Sequence, residues 1–181
     1  MKKPIAWVRR AFAGVSVAWA AALPLTSFAA SRPAPADAWY AFAFAVYAAG
    51  SVVCHQRPER SFHLWSAQMP VCARCAGIYT GAALAAVVAA ARSPRRQTDH
   101  PGIVLLVSAI PTAATLIYEW TTGAVPSNWA RALAGAPLGA AVAFVIVAAL
   151  PPPLRRSIRD TRERHGASVS ASGGGAPREI D

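Results

Sequence analysis

The sequence predicts an all-α fold: a helical integral membrane bundle of about four transmembrane helices, or five if one short segment also crosses. Three observations predict it. Only 14% of the 181 residues are charged and 55% are hydrophobic, whereas a soluble domain carries about 25% charged residues. The charges gather at the ends and in short connectors. Between them run apolar blocks close to the roughly 17–25 residues that a bilayer crossing needs.

The net charge of +10 would raise the question of nucleic acid in a soluble protein. Here the basic residues flank apolar segments, as the positive-inside rule requires. No RNA- or DNA-binding motif accompanies them, so nucleic acid is not an expected partner. The lipid bilayer is. A protein partner or homo-oligomer is left open.

In chain order, residues 1–10, "MKKPIAWVRR", form a basic cytoplasmic head. Residues 11–30 form the first span, with Pro24 inside it. The same stretch also reads as a secretory signal peptide, cleaved after Ala29 or Ala30. A retained helix is preferred because further membrane segments follow. Residues 31–37 are a Pro-rich connector. Residues 38–53, "AWYAFAFAVYAAGSVV", are apolar and aromatic but short. At 1.5 Å per residue they reach about 24 Å, against a hydrocarbon core of about 30 Å. Residues 54–70 are a polar stretch, 71–91 a span, 92–100 a basic turn, and 101–120 a span containing Pro111. Residues 121–131 connect to the last span, 132–150. The membrane domain thus covers residues 11–150. The tail, 151–181, is Pro-, Arg- and then Ser/Gly-rich without apolar periodicity, and is expected to be disordered and cytoplasmic.

Charge decides the topology. Five spans with the N-terminus inside would put Arg92, Arg95, Arg96 and the arginines of the tail outside, against the positive-inside rule. If 38–53 is interfacial or re-entrant, four spans place the head, the basic turn and the tail inside together. Trp39, Tyr40 and Tyr47 suit a headgroup boundary. A five-span, N-outside arrangement keeps the same outer loops. The expected location is the inner (cytoplasmic) membrane, multi-pass, with both termini cytoplasmic and the Cys/His face toward the periplasm.

That face is "CHQRPERSFHLWSAQMPVCARCAGIY", Cys54 to Tyr79. It holds all three cysteines and two of the four histidines. Its "CARC" pair opens a helix after Pro70, where unpaired N–H groups and the helix dipole stabilise a thiolate. Arg74 adds positive charge. Thiolates serve two chemistries. Cys54, Cys72 and Cys75 with His55 or His63 make a Cys3His set for tetrahedral zinc. Iron is the weaker choice with only three cysteines. Alternatively the protein is a membrane thiol–disulfide oxidoreductase, with Cys72 as nucleophile, Cys75 as its pair and Cys54 as exchange partner. A third reading is a structural disulfide in an assembly subunit without chemistry of its own, and enzymatic activity stays open. The two histidines beside the cysteines favour the metal.

Gln56, Arg60, Arg74, Glu119, Asn128 and Arg131 are expected at the same outer face as supporting residues. Ionisable groups near a bilayer are costly, so they should pair or line a polar cavity; plain interfacial anchoring is the alternative. Gly77 with Gly81, and Gly135 with Gly139, have the G-x-x-x-G spacing of close helix packing. No Ser-His-Asp set, phosphate loop, nucleotide motif or intramembrane carboxylate pair is visible.

The runs "CHQRPERSF" and "QMPVCARCAGIYTG", followed by "SNWARALAGAPLG", resemble a family of small bacterial and archaeal integral membrane proteins known as a domain of unknown function. The resemblance covers residues from about 20 to 150. It carries over Cys54, His55, Gln56, Arg60, Ser61, Cys72, Arg74, Cys75, Gly77, Tyr79, Gly81, Asn128 and Arg131 as motif matches, without roles. The chain departs from it at Ser66 and Ala67, where Gly and often His are expected, and at Thr115, where many members carry an acid.

Overall fold

The computed structural model describes residues 4–33, 36–91 and 100–149. Lys2, Lys3, the 92–96 turn and the tail, which the charge argument places on one side, lie outside the described residues.

Among the described residues, four helices are long and apolar enough to cross a membrane. They are α1 (Pro4–Ala30), α3 (Ala73–Ala91), α4 (Pro101–Thr122) and α5 (Asn128–Ala149). A shorter helix, α2 (Asp37–Val53), follows α1. The sequence-predicted class, a helical membrane bundle, is the class observed.

The side-chain contacts give the helix directions. Along α1 and α3, Arg9 donates to the Ala89 carbonyl at 3.1 Å, Ala13 packs with Ala86, and Trp19 meets Tyr79 edge-on at 5.8 Å. One number rises as the other falls, so the two helices are antiparallel. Arg9 thereby caps the carbonyl end of α3, where a cation is favoured. Between α3 and α5, Gly77 faces Ala132 and Gly81 faces Ala136. In return Gly135 faces Arg74 and Gly139 faces Ile78. Both numbers rise together, so α3 and α5 run parallel. A Cβ at any of these four glycines would run into a carbonyl of the facing helix. Both G-x-x-x-G pairs thus let one pair of backbones approach within a single chain, where small residues replace the missing hydrophobic drive.

Helix α4 runs antiparallel to α5: Thr112 donates to the Ala134 carbonyl at 2.8 Å, and Glu119 meets Arg131. Its only buried residue is Glu119, while Ile103, Leu106, Val107, Ile110 and Ile117 are exposed. Such a helix, apolar outward and ionic inward, suits lipid rather than water.

Helix α2 starts and ends at one end of the bundle. Its Tyr40 and Tyr47 lie beside Ala29 and Ala30 at the end of α1 and Arg32 just after it. Cys54, the residue that follows α2, lies against Cys72, just before α3.

The polar stretch is ordered, which the sequence reading did not anticipate. A single 3-10 turn at Pro58–Arg60 leads into strand β1 (Ser61–Leu64), paired antiparallel with β2 (Ala67–Cys72). Ser61 opposes Cys72 and Leu64 opposes Ala67, with a bulge between Ser61 and His63. The two-residue turn, Trp65 and Ser66, has φ of 51° and 65°. Both values are the left-handed pair of a type I′ hairpin, which usually announces itself as Asn-Gly. Here it does not, so the turn was illegible. It also explains why Gly is expected at position 66. Ser66→Gly should raise stability by about 1 kcal/mol, the cost of a Cβ in that region; a thermal melt in detergent reads it.

Helix α5 begins four residues before the apolar run at 132. The Ser127 hydroxyl accepts the Ala130 N–H at 3.2 Å and caps it. This early start makes Asn128 and Arg131 helical residues with fixed directions.

Candidate metal centre and its ionic neighbour

Two polar groupings sit at the hairpin end of the bundle. The first is sulfur. Cys54 leaves α2 in an extended conformation, Cys72 closes β2, and Cys75 lies in the first turn of α3. Their three sulfurs lie within 4.8 Å of one another. Thiolates around tetrahedral zinc, with bonds of about 2.3 Å, stand about 3.8 Å apart. Closing the remaining gap takes at most about an ångström, within reach of side-chain rotation. The Cys72 N–H donates to Cys54 Sγ at 3.2 Å, an orienting bond of the kind that supports a thiolate ligand. Leu23, Val46, Met69, Val71 and Ala76 pack around the cluster, with Trp19 and Tyr79 at its edge.

The loop that delivers Cys54 is clamped. Gln56, at φ 47°, donates to the Tyr47 carbonyl at 2.9 Å and the Pro70 carbonyl at 2.7 Å. Gln68 returns a bond to the Gln56 carbonyl at 2.6 Å. The Tyr47 hydroxyl and the Ser27 hydroxyl both donate to the Gln68 carbonyl. Gly50 lets β2 approach, since a Cβ there would meet the Pro70 carbonyl. Gln56 therefore has a physical role in the "CHQ" run: it fixes the register of the first thiol against the strand carrying the second. Sequence reading missed Tyr47, Gly50 and Gln68, and no pattern marks them.

Neither imidazole belongs to the sulfur group. His55 and His63 are exposed. Cys54 is extended, and neighbours in an extended chain face opposite ways; His55 Nδ1 instead accepts the Arg57 N–H at 3.4 Å. His63 opposes Gln68 on the hairpin.

The Cys72 thiol is held down from 9.0 to about 5. A hydrogen bond with the Cys75 thiol is the largest cause; burial opposes it, and the Cys75 N–H, the Cys54 thiol and the His55 charge assist. Folded protein then holds fewer protons at this position than unfolded chain between pH 5 and 9. Its contribution to stability is complete above pH 9, declines as pH falls, and is gone below about 5. Thiolate ultraviolet absorbance of metal-free protein should therefore show a step with a midpoint near pH 5, absent from Cys72→Ser.

The second grouping is ionic. Arg131, 1% exposed, donates through Nε to Glu119 Oε1 at 2.7 Å, with Nη2 2.6 Å from the same oxygen. Arg74 Nη2 lies 3.8 Å from Oε1, and Arg60 Nη1 lies 3.7 Å from Oε2. Asn128 joins Arg131 Nη1 at 3.5 Å to the Ser61 carbonyl at 2.9 Å. Arg74 also donates to the Thr115 hydroxyl at 3.1 Å. All six supporting residues of the sequence reading therefore reach the hairpin end, Gln56 at the sulfur side and the other five here.

Over residues 54–145 the chain matches the family described as "Predicted membrane protein (DUF2085)". It is similar to "Uncharacterized protein MJ1492" of Methanocaldococcus jannaschii, 44% identical over 50 residues, which covers 28% of this chain and 32% of that protein. It is also similar to an "Uncharacterized protein" of Methanothermobacter thermautotrophicus, 38% identical over 60 residues, covering 33% of this chain and 53% of that one. The chain thus spans about a third to a half of the length of these relatives. No solved structure matches it.

Proposed function

The chain belongs to this family of membrane proteins, and we propose that its three thiols form a binding site for a thiophilic metal ion, zinc before iron. The observation that carries the reading is the convergence of Cys54, Cys72 and Cys75 from three separate elements into one apolar pocket. Cys54, Cys72 and Cys75 would be the protein ligands. The fourth position falls to His55, after its loop turns, or to His63 or an external ligand. Three protein ligands with an exchangeable fourth is the arrangement of a reactive site, whereas structural zinc sites are closed. Bound zinc would supply positive charge that compensates thiolates in an apolar shell.

The low Cys72 value beside a second thiol supports a second reading, a redox pair. Cys72, as thiolate, and Cys75 would then form a disulfide, passing two electrons and the Cys75 proton to an acceptor such as a quinone, which takes its second proton from water.

Metal content measured against free thiols, on protein purified in detergent without chelator, separates the two. About one zinc per chain, with thiols unreactive until the metal is removed, is the expected result. No metal, with two sulfurs oxidised and one free, supports the redox pair instead.

We further propose an inner-membrane orientation with the hairpin end toward the periplasm and α2 along the interface. The positive-inside argument supports it, as do the ends of α2 at one end of the bundle. Leu23, Thr26 and Ser27 are buried, which supports a retained rather than cleaved α1. The exposed His63, replaced by cysteine, should react with an impermeant maleimide in intact cells; labelling only after lysis reverses the orientation.

A further inference from the structure

The ionic grouping is unbalanced. Three guanidiniums surround one carboxylate, so two positive charges are unmatched. Among the described residues the other acids are Asp37 and Glu59, both exposed and neither paired with these arginines. Glu119 comes within hydrogen-bond length of Arg131 alone; at 3.7 and 3.8 Å the other two are ion pairs beyond that length.

The donors are as unbalanced as the charges. Each guanidinium offers five N–H groups. Among the described residues, the Arg60 side chain makes no hydrogen bond and that of Arg74 makes one, to the neutral Thr115 hydroxyl. Nε of Arg60, Nε of Arg74, Nη2 of Arg131 and Oε2 of Glu119 are buried without a geometric hydrogen-bond partner. Unmatched, partly buried cations near a bilayer boundary carry a desolvation cost that a bound anion would offset. The three arginines come from different elements: the 3-10 turn, the first turn of α3 and the first turn of α5. The Ser127 cap, the Asn128 bridge to Ser61 and the close glycine packing of α3 on α5 hold them together.

We propose that Arg60, Arg74 and Arg131 form a binding site for an oxyanion of the phosphate class. A phosphate brings one to two negative charges and several acceptor oxygens, matching both deficits, and planar guanidiniums pair with it bidentately. Glu119 orients Arg131 rather than neutralising the set. The Arg60 side chain, 28% exposed, is the approach from the surface, and that of Arg74, 16% exposed, lies behind it. The site lies at the helix ends, which the proposed orientation would set near the headgroups. Its phosphate comes either from a phospholipid headgroup or from solution. The proposal stands apart from the thiols and does not depend on a bound metal.

The test uses the full chain in neutral detergent, washed free of phospholipid. Thermal melting is followed against inorganic phosphate at constant ionic strength, with chloride as control. A second series uses phosphatidylglycerol in mixed micelles, with diacylglycerol as control. A saturable rise in Tm, roughly 5 °C near a hundred times Kd, is expected in at least one series. A response to phosphate assigns a soluble oxyanion; a response to phosphatidylglycerol alone assigns a headgroup. Arg60→Gln should abolish the response by removing the accessible donor. Thr115→Glu should abolish it differently, by placing a second carboxylate beside Arg74 and supplying the missing charge internally. It should fold at least as stably as the parent. No saturable response in either series, or an unchanged response in both variants, overturns the proposal.

Discussion

Replacing Cys54, Cys72 or Cys75 by serine is expected to lower metal content from about one ion per chain to near zero, each change alone being sufficient. The three sulfurs come from the end of α2, the end of β2 and the first turn of α3. Losing any one leaves two thiolates with no protein group already in place to complete the set. His55→Ala should have a smaller effect, weakening affinity only if that imidazole turns inward to become the fourth ligand. Equal effects of all four substitutions would identify His55 as a resident ligand. If Cys54→Ser alone spared the metal, the centre would belong to the CARC pair and the clamp around Gln56 would need another explanation. Elemental analysis of the purified variants reads all of these outcomes.

Glu119→Gln is expected to be the most damaging substitution at the ionic grouping, at about 3–5 kcal/mol. It removes the anion shared by three guanidiniums, with Arg131 1% exposed. On a chain of this size that loss lowers Tm by roughly 10 °C. Arg60→Gln should cost below about 1 kcal/mol, since its ion pair is long and its side chain 28% exposed. The contrast between the two is the test. A mild Glu119→Gln would mean that Arg131 does not depend on the carboxylate as its charge partner.

The membrane class was legible because lipid imposes a simple rule: spans must be long, apolar and helical. The glycine pairs were legible for a related reason, since close backbone approach in lipid needs small residues at fixed spacing. Both pairs lie on the α3–α5 interface, each against backbone carbonyls of the facing helix. The convergence of cysteines was legible as proximity in sequence, but its geometry was not. The deciding elements are a hairpin whose turn, Trp65–Ser66, lacks the usual residues, and a glutamine clamp. The clamp's partners, the Tyr47 and Pro70 carbonyls, carry no side-chain signature. The histidines were legible in the same limited way. Composition brought His55 beside Cys54, while the extended backbone turns the two side chains apart. Arg131 was legible as a costly ion near a helix end; its burial followed only from the Ser127 cap, which starts α5 a turn early.

X-ray absorption at the zinc edge, on the full chain purified in detergent without chelator, addresses the metal reading most directly. The account predicts three sulfur scatterers at about 2.3 Å and one lighter nitrogen or oxygen neighbour at about 2.0–2.1 Å. A first shell of nitrogen and oxygen alone, or no zinc signal above background, would contradict it and leave Cys54, Cys72 and Cys75 as thiols with another task.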